Sequence, residues 1–508
     1  MSTILIFALF LPLLGGCAQE TQEAYVPTGS GLTWDESENG SGNNQITDQA
    51  LTLTYYPDIT MNPLLCTDFT NRALFALLYQ SLFSVDREYK VEPQLCKNYR
   101  MSQDMKTYTF YIADATFTDG SRLTAEDVCA TLLAAKDSLY YGGRFTQITE
   151  IALSEDGGVK VKAKVPMENL PLLLDIPIIK ASQLLENHPL GTGPYYLDAG
   201  TQTPLLRRNT NWWCNADMVV TAPAISLKKA SSIAGVRDDF EFNGLSLVCA
   251  DPGSDEYADY RCDYELWDCE NGIFLYLTTS RNSTVFSNDA VRIALTHAID
   301  RDMLVEDYYR GFARSASLPA SPLFPYYSQN LADKYSYDSV KFLDAVKDNG
   351  MEGSTVVFLV NKDDSLRLRV ARAIARMLTD CGLVVELKAI SGNAYTEALK
   401  FRNFDLYLGQ TRLSPNMDLS AFFETYGALS WGGVNDLGAY ALSLQALENH
   451  GNDFTLHKQV MDRGLICPIL VRSYSVYAIR GLLSDLTPAR DSVFFYSTGK
   501  SLESAKIA

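Results

Sequence analysis

Only 4 histidines occur among the 508 residues. None lies in an H-E-x-x-H pattern, and no two stand three or four apart, so a helix-borne zinc pair is excluded. No C-x-x-C pair exists, which removes zinc ribbons and thioredoxin-like redox motifs. G-x-S-x-G and G-x-G-x-x-G are missing, so neither a nucleophile elbow nor a dinucleotide fingerprint is present. Gly499-Lys500-Ser501 echoes the end of a P-loop, but Phe494 stands where its first glycine is needed. Positive charge is scarce as well. Lys and Arg number 43 against 61 Asp and Glu, a net charge of -18. Such a surface repels nucleic-acid phosphates and anionic head groups, and its ordinary use is solubility. These absences predict no catalytic residue, no cofactor, no metal and no nucleic-acid partner. One enzyme class stays open, because glycosidase carboxylates need not be adjacent in sequence; Asp238-Asp239 and Asp363-Asp364 are acidic pairs of that kind.

Long hydrophobic runs are also lacking. The longest, Ile4 to Leu14, is broken by Pro12. It is too short to span a bilayer but right for the core of a signal peptide. It leads into Leu14-Gly15-Gly16-Cys17, which resembles the lipobox of bacterial lipoproteins, where cleavage precedes a cysteine that carries the lipid. Residues 1–16 are therefore expected to be a signal peptide and Cys17 the lipidation site, although Met1-Ser2-Thr3 supplies no basic residue. Residues 17–47 are rich in Gly, Ser, Thr, Asn, Glu and Gln, and cannot bury enough surface to fold. They read as a flexible tether. The remainder of the chain is ordinary globular material, since 47% of all residues are hydrophobic and 20% charged, and its length calls for more than one core.

Leu51, Leu53 and Tyr55 alternate with threonines as a strand. Leu74, Leu77, Leu78 and Leu82 sit at helical spacing within 71–83. Tyr108, Phe110 and Ile112 alternate again, as do Val159, Val161, Ala163 and Val165 against three lysines. Thr124 is a natural cap for a helix with the stripe Val128, Leu132, Ala135, Leu139. Further on, Thr355–Val360, Leu366–Leu378, Leu383–Ile390, Asn393–Phe401 and Phe404–Gly409 read as strand, helix, strand, helix, strand. That order implies a mostly parallel sheet. Of the nine cysteines after Cys17, Cys129 and Cys467 sit in apolar stretches as small buried hydrophobes. Cys262 and Cys269 are close enough in sequence for a disulfide, and nine thiols cannot all pair within one chain. His297 lies within the stripe Val291, Leu295, Ala298, Ile299 and reads as structural.

Five segments, in order, resemble family 5 of the bacterial extracellular solute-binding proteins, the oligopeptide-, dipeptide- and nickel-binding components of ABC importers. They are Asn62-Pro63-Leu64; Leu78 to Phe83 with Glu92 to Leu95; Tyr108 to Ile112 with Phe117 to Ser121 and Leu123 to Val128; Gly191 to Tyr195 with Arg208-Asn209 and Trp212-Trp213; and Asp289 to Leu295 running into Ala298 to Arg301. The resemblance implies an α/β, two-lobed periplasmic-binding-protein-like (type II) fold with an inserted α+β subdomain. Lobe one is expected at 48–277 plus 468–508, the insert at about 66–185, and lobe two at 278–467. It further implies a monomer, held at the outer face of the membrane by its lipid, that captures a peptide or related small polar solute and delivers it to ABC permease subunits. The alternatives are a surface-tethered hydrolase and a ligand-binding sensor without a transporter.

In open α/β sheets, ligands sit beyond the carboxyl ends of the strands. Here that edge is the loop after Gly409. Peptide binders of the family carry an acid there for the ligand's amino terminus, whereas this chain has Arg412. The departure points away from a standard peptide. Arg412 presents a planar fork of donors suited to a carboxylate or phosphate. Asp418 stands as a substitute acid or as a helix cap. Tyr426 and Trp431 are expected to form an aromatic wall, with Gly432 and Gly433 letting the backbone present the Trp431 ring.

Overall fold

The computed structural model describes residues 51–498 and 505–506, apart from 201–202, 215, 217, 219, 231, 433–435 and 484–485. The signal segment, Cys17, the tether and Gly433 lie outside the described residues.

Leu51–Tyr55 forms the expected strand and pairs in parallel with Ala224–Lys229. Leu205–Arg208 and Tyr195–Asp198 complete a four-stranded sheet. Gly193 turns the chain into Tyr195–Asp198 against the backbone of Leu78. A Cβ at that position would meet the Leu78 carbonyl carbon at 2.4 Å, so only glycine fits. A second sheet is built from Cys96–Met101, Thr107–Ile112, Val159–Ala163 and Ile148–Leu153, with Ala505–Lys506 at its edge. Its alternation is as predicted: Val159, Val161 and Ala163 are buried while Lys162 faces solvent. The helix Ala125–Ala135 packs on this sheet, and its first turn closes a capping box. Thr124 Oγ1 accepts from Asp127 N, and the Asp127 carboxylate accepts from Thr124 N. Residues 71–83 do not form one helix. Two single turns, Phe69–Arg72 and Phe75–Leu78, replace it, yet Leu74, Leu77, Leu78 and Leu82 are all buried. Helical spacing marked burial correctly there without marking a continuous element.

The third sheet has the strand order Leu247–Ala250, Cys467–Ile479, Tyr264–Thr279, Leu406–Arg412, Thr355–Asn361, Val384–Ile390, with Ala313–Ser315 added beside Cys467–Ile479. The strand-helix-strand-helix-strand order predicted for the later region is present, and its three strands are parallel. Asp364 caps the helix Ser365–Asp380 by accepting from Arg367 N. Both faces of the sheet's central part are covered, so Thr355–Asn361 and the first half of Leu406–Arg412 are mainly apolar and buried. Leu406, Leu408, Phe358 and Val360 enter one core, and Tyr407 and Leu359 the other. The longest strands, Tyr264–Thr279 and Cys467–Ile479, pair antiparallel over most of their length. Cys467–Ile479 also pairs with Leu247–Ala250 near its end and with Ala313–Ser315 near its start. It therefore joins segments expected in different lobes. All nine described cysteines are free thiols, so Cys262 and Cys269, though close enough in sequence for a disulfide, are not bridged. Cys269 is buried with its Sγ against the Pro488 carbonyl, while Cys262 is partly exposed. His297 Nδ1 lies 2.7 Å from the Ser336 carbonyl oxygen, a structural contact.

Candidate functional site

The strand Leu406–Arg412 runs three residues further than the apolar pattern suggests, because its polar end is paired with Ile273–Leu275 of the neighbouring strand. Arg412 is thus the last strand residue, fixed by backbone pairing on a central strand. Its guanidinium donates to Asp491 Oδ1 at 2.6 Å and to the Asn271 carbonyl at 3.0 Å. It also lies 4.0 Å from the centre of the Tyr140 ring. Asp491 lies in the C-terminal segment, in a short loop closed by the pair Ala489–Ser492. The same carboxylate accepts from Arg144 at 2.9 Å and stands 3.7 Å from Arg490 Nε. Arg144, in the turn Gly142–Phe145, also pairs with Asp175. Arg72 donates to Tyr141 Oη at 2.7 Å and stacks on Tyr140.

Arg144, Arg412 and Arg490 thus gather at Asp491, Arg144 also reaches Asp175, and these residues come from four separate stretches of the chain. Burial pushes the Asp491 carboxyl up, but Arg412, Arg144 and Arg490 outweigh it and hold it well below the ordinary carboxylate range. Burial raises Asp175, against the pull of Arg144. Two openings flank the cluster. One, about 510 Å³ and partly open to solvent, is bordered by Ser81, Ser84, Gln94, Tyr141, Asp175 and Asp491. The other, with room for about one water, is bordered by Tyr89, Glu270, Leu323 and Arg490. Burial raises Glu270, while Ser321, Arg314, Tyr89 and Arg490 oppose the shift. The positive φ of Gly272 clears the way for Arg490, since a Cβ there would stand 2.4 Å from Arg490 Cζ.

Of the four residues expected at the site, Arg412 enters this cluster. Asp418 lies nearby in chain but accepts from Ser420 N at 2.8 Å, a local turn contact just ahead of the helix Ser420–Phe423, whose N-cap is Leu419. Burial raises its carboxyl. Trp431 packs against the core that holds Phe274, Tyr276 and Phe422. Tyr426 is 96% exposed and its ring covers nothing, so the loop does not bring it to Arg412. Arg144, Asp175, Glu270, Arg490 and Asp491 escaped the sequence reading. One signal was present: Asp175 is the lone charge in the run Leu170 to Ile179. The other partners meet only through tertiary contact. Among the described residues, no group of three or more potential ligands gathers to hold a metal.

Residues 90–433 match the family model described as bacterial extracellular solute-binding proteins, family 5 Middle. The chain is 24% identical over 419 residues to the glutathione-binding protein GsiB of Escherichia coli O1:K1 / APEC, covering 77% of this chain and 73% of that one. Its fold is similar to HbpA2 of Haemophilus parasuis, with a TM-score of 0.73, 16% identity, and coverage of 88% and 99% of the two chains. It is also similar to NikA of Brucella suis, solved in complex with Fe(III)-EDTA, with a TM-score of 0.68, 18% identity, and coverage of 87% and 98%.

Proposed function

The chain belongs to family 5 of the bacterial extracellular solute-binding proteins, and on that premise we propose that it is the lipid-anchored capture subunit of an ABC importer for short peptides or peptide-like polar solutes. Members of this family bind solutes and do not transform them, and this chain is a binding protein rather than an enzyme. The observation that carries the ligand reading is the buried ionic cluster of Arg144, Arg412, Arg490, Asp175 and Asp491. Taking so many charges out of water is costly, and replacing such networks by apolar side chains is often neutral or stabilising. Their presence beside two openings is accounted for by polar recognition of a ligand. The similarity to a glutathione-binding protein supports a peptide-like solute.

The paired strands Tyr264–Thr279 and Cys467–Ile479 serve as the hinge between two lobes, and closing around the solute excludes water from the charges. Tyr89 from the first part of the chain already meets Phe324 edge-on, with ring centres 5.6 Å apart. The test is the solute carried by the purified protein. Mass spectrometry of the released material is expected to show a peptide or peptide-like compound at up to one per chain, with mass unchanged on re-incubation. Turnover of a peptide or glycoside panel, abolished by a single carboxylate substitution, would replace this reading by the surface hydrolase.

A further inference from the structure

Resting on the hinged, two-lobe reading above, we propose that the insert at 66–185 carries a clasp that holds lobe two shut, made from side chains outside both hinge strands. The clasp is reciprocal. Val85, Tyr89 and Leu172 of the insert are buried in a core built mainly from lobe two, together with Phe324, Met417 and Phe422. In return Leu447, on the helix Leu437–Glu448, is buried in the core that holds Leu82, Tyr108 and Val161. A main-chain hydrogen bond runs beside it, from Glu168 N to the Leu447 carbonyl at 2.9 Å. Gln147 Nε2 donates to Ser420 Oγ at 2.9 Å, and both side chains are buried. Asn416 Nδ2 lies 3.9 Å from Met167 Sδ.

Gln147, Met167, Leu172, Ser420 and Leu447 border neither opening beside the ionic cluster, so their contacts do not depend on what those openings hold. They join segments 249 and 273 positions apart through side chains and a single backbone bond, without a shared strand. The one ion pair at this seam, Lys164 with Glu424 at 3.8 Å, is exposed and contributes little. Burial of apolar side chains therefore drives the docking. The backbone supplies the opposing force. Tyr89 at φ 62° and Met417 at φ 52° occupy the left-handed region that bulky side chains seldom adopt. Such strain persists only where the surroundings over-determine it, and it gathers at switch regions. Here one strained residue stands on each side of the seam. Docked, the Tyr89 ring lies edge-on to Phe324 and the Met417 side chain is buried. Parted, each backbone relaxes, which lowers the cost of opening. Burial closes the clasp and strain keeps it reversible, so release of the solute waits on the insert letting go of lobe two.

The experiment is hydrogen–deuterium exchange of the dialysed full chain, read at the Glu168 amide, whose acceptor lies across the seam. In the parent this amide is expected to exchange at least about 100-fold more slowly than in an unstructured chain. Tyr89→Ala is expected to speed it about tenfold and Ser420→Ala about threefold. Amides of the helices Ala125–Ala135 and Ser365–Asp380, each bonded within itself, are expected to keep their rates. Exchange of the parent amide near the unstructured rate overturns the proposal, and so does an unmoved rate in both variants. Equal acceleration in the two helices also overturns it, because the substituted residues then serve the whole fold and not the joint. The parent measurement decides even where Tyr89→Ala misfolds, and Ser420→Ala removes only a hydroxyl. The exchange reads the joint, whereas the mass spectrum of released material reads the cargo. A chain that carries no solute yet shows the expected exchange leaves the clasp standing and tells against the carrier reading alone.

Discussion

Arg412 is bound into the fold by a buried ion pair with Asp491. Its removal leaves the buried Asp491 carboxylate with Arg144 and Arg490 only. Losing one partner of a buried network is expected to cost about 2–4 kcal/mol at pH 7 in Arg412→Ala. The folded Asp491 carboxyl is depressed, so the stability it contributes is present above the unfolded value near 4 and is lost as pH falls through the folded value. Urea titrations should therefore show a large deficit at pH 7 that narrows at pH 3; an equal deficit at both would contradict the ion-pair account. His457 behaves oppositely in origin but alike in direction. Burial pushes its imidazole down to about 4, and neither ring nitrogen has a hydrogen-bond partner among the described residues. The unfolded chain takes up the proton first, so stability drains as pH falls from about 6.5 towards about 4. His457→Leu is expected to sit within about 1 kcal/mol of the parent at pH 7.5 and to be about 2 kcal/mol more stable at pH 4.5, read by melting at both pH values.

The capping box at Thr124 is the clearest test at the level of an element. Thr124→Ala removes the acceptor for Asp127 N and should cost about 1 kcal/mol in denaturant unfolding. Any effect on solute affinity should be slight, because the helix Ala125–Ala135 contributes no side chain to the ionic cluster. Elements with strong local signals were legible before the structure. The strand-helix-strand-helix-strand run emerged in register with its caps, since alternation, Asp364 and Gly382 all act locally. The segment 71–83 emerged as two turns because leucine spacing reports what is buried, and buried leucines need no continuous helix. The site was less legible. Arg412 could be found from its place after an apolar strand. Arg144, Glu270, Arg490 and Asp491 could not, because they lie up to 347 positions apart and are joined only by pairing across the finished fold. Aromatic character likewise says nothing of direction: Tyr426, at φ 62°, is 96% exposed.

At the scale of the whole molecule, the anchor is the element most open to a simple check. Cys17→Ala is expected to move the protein from the membrane pellet to the soluble fraction or medium, and unchanged fractionation would remove the lipid from the account. The strand Cys467–Ile479 bears on a different matter. It lies inside the largest sheet, flanked by Leu247–Ala250, Ala313–Ser315 and Tyr264–Thr279, all of which stand far earlier in the chain. While it is unpaired, Tyr264–Thr279 keeps one edge bare and both cores next to it stay open. Pairings across such sequence separations form slowly, so the joining of this sheet is the step that sets the pace of folding.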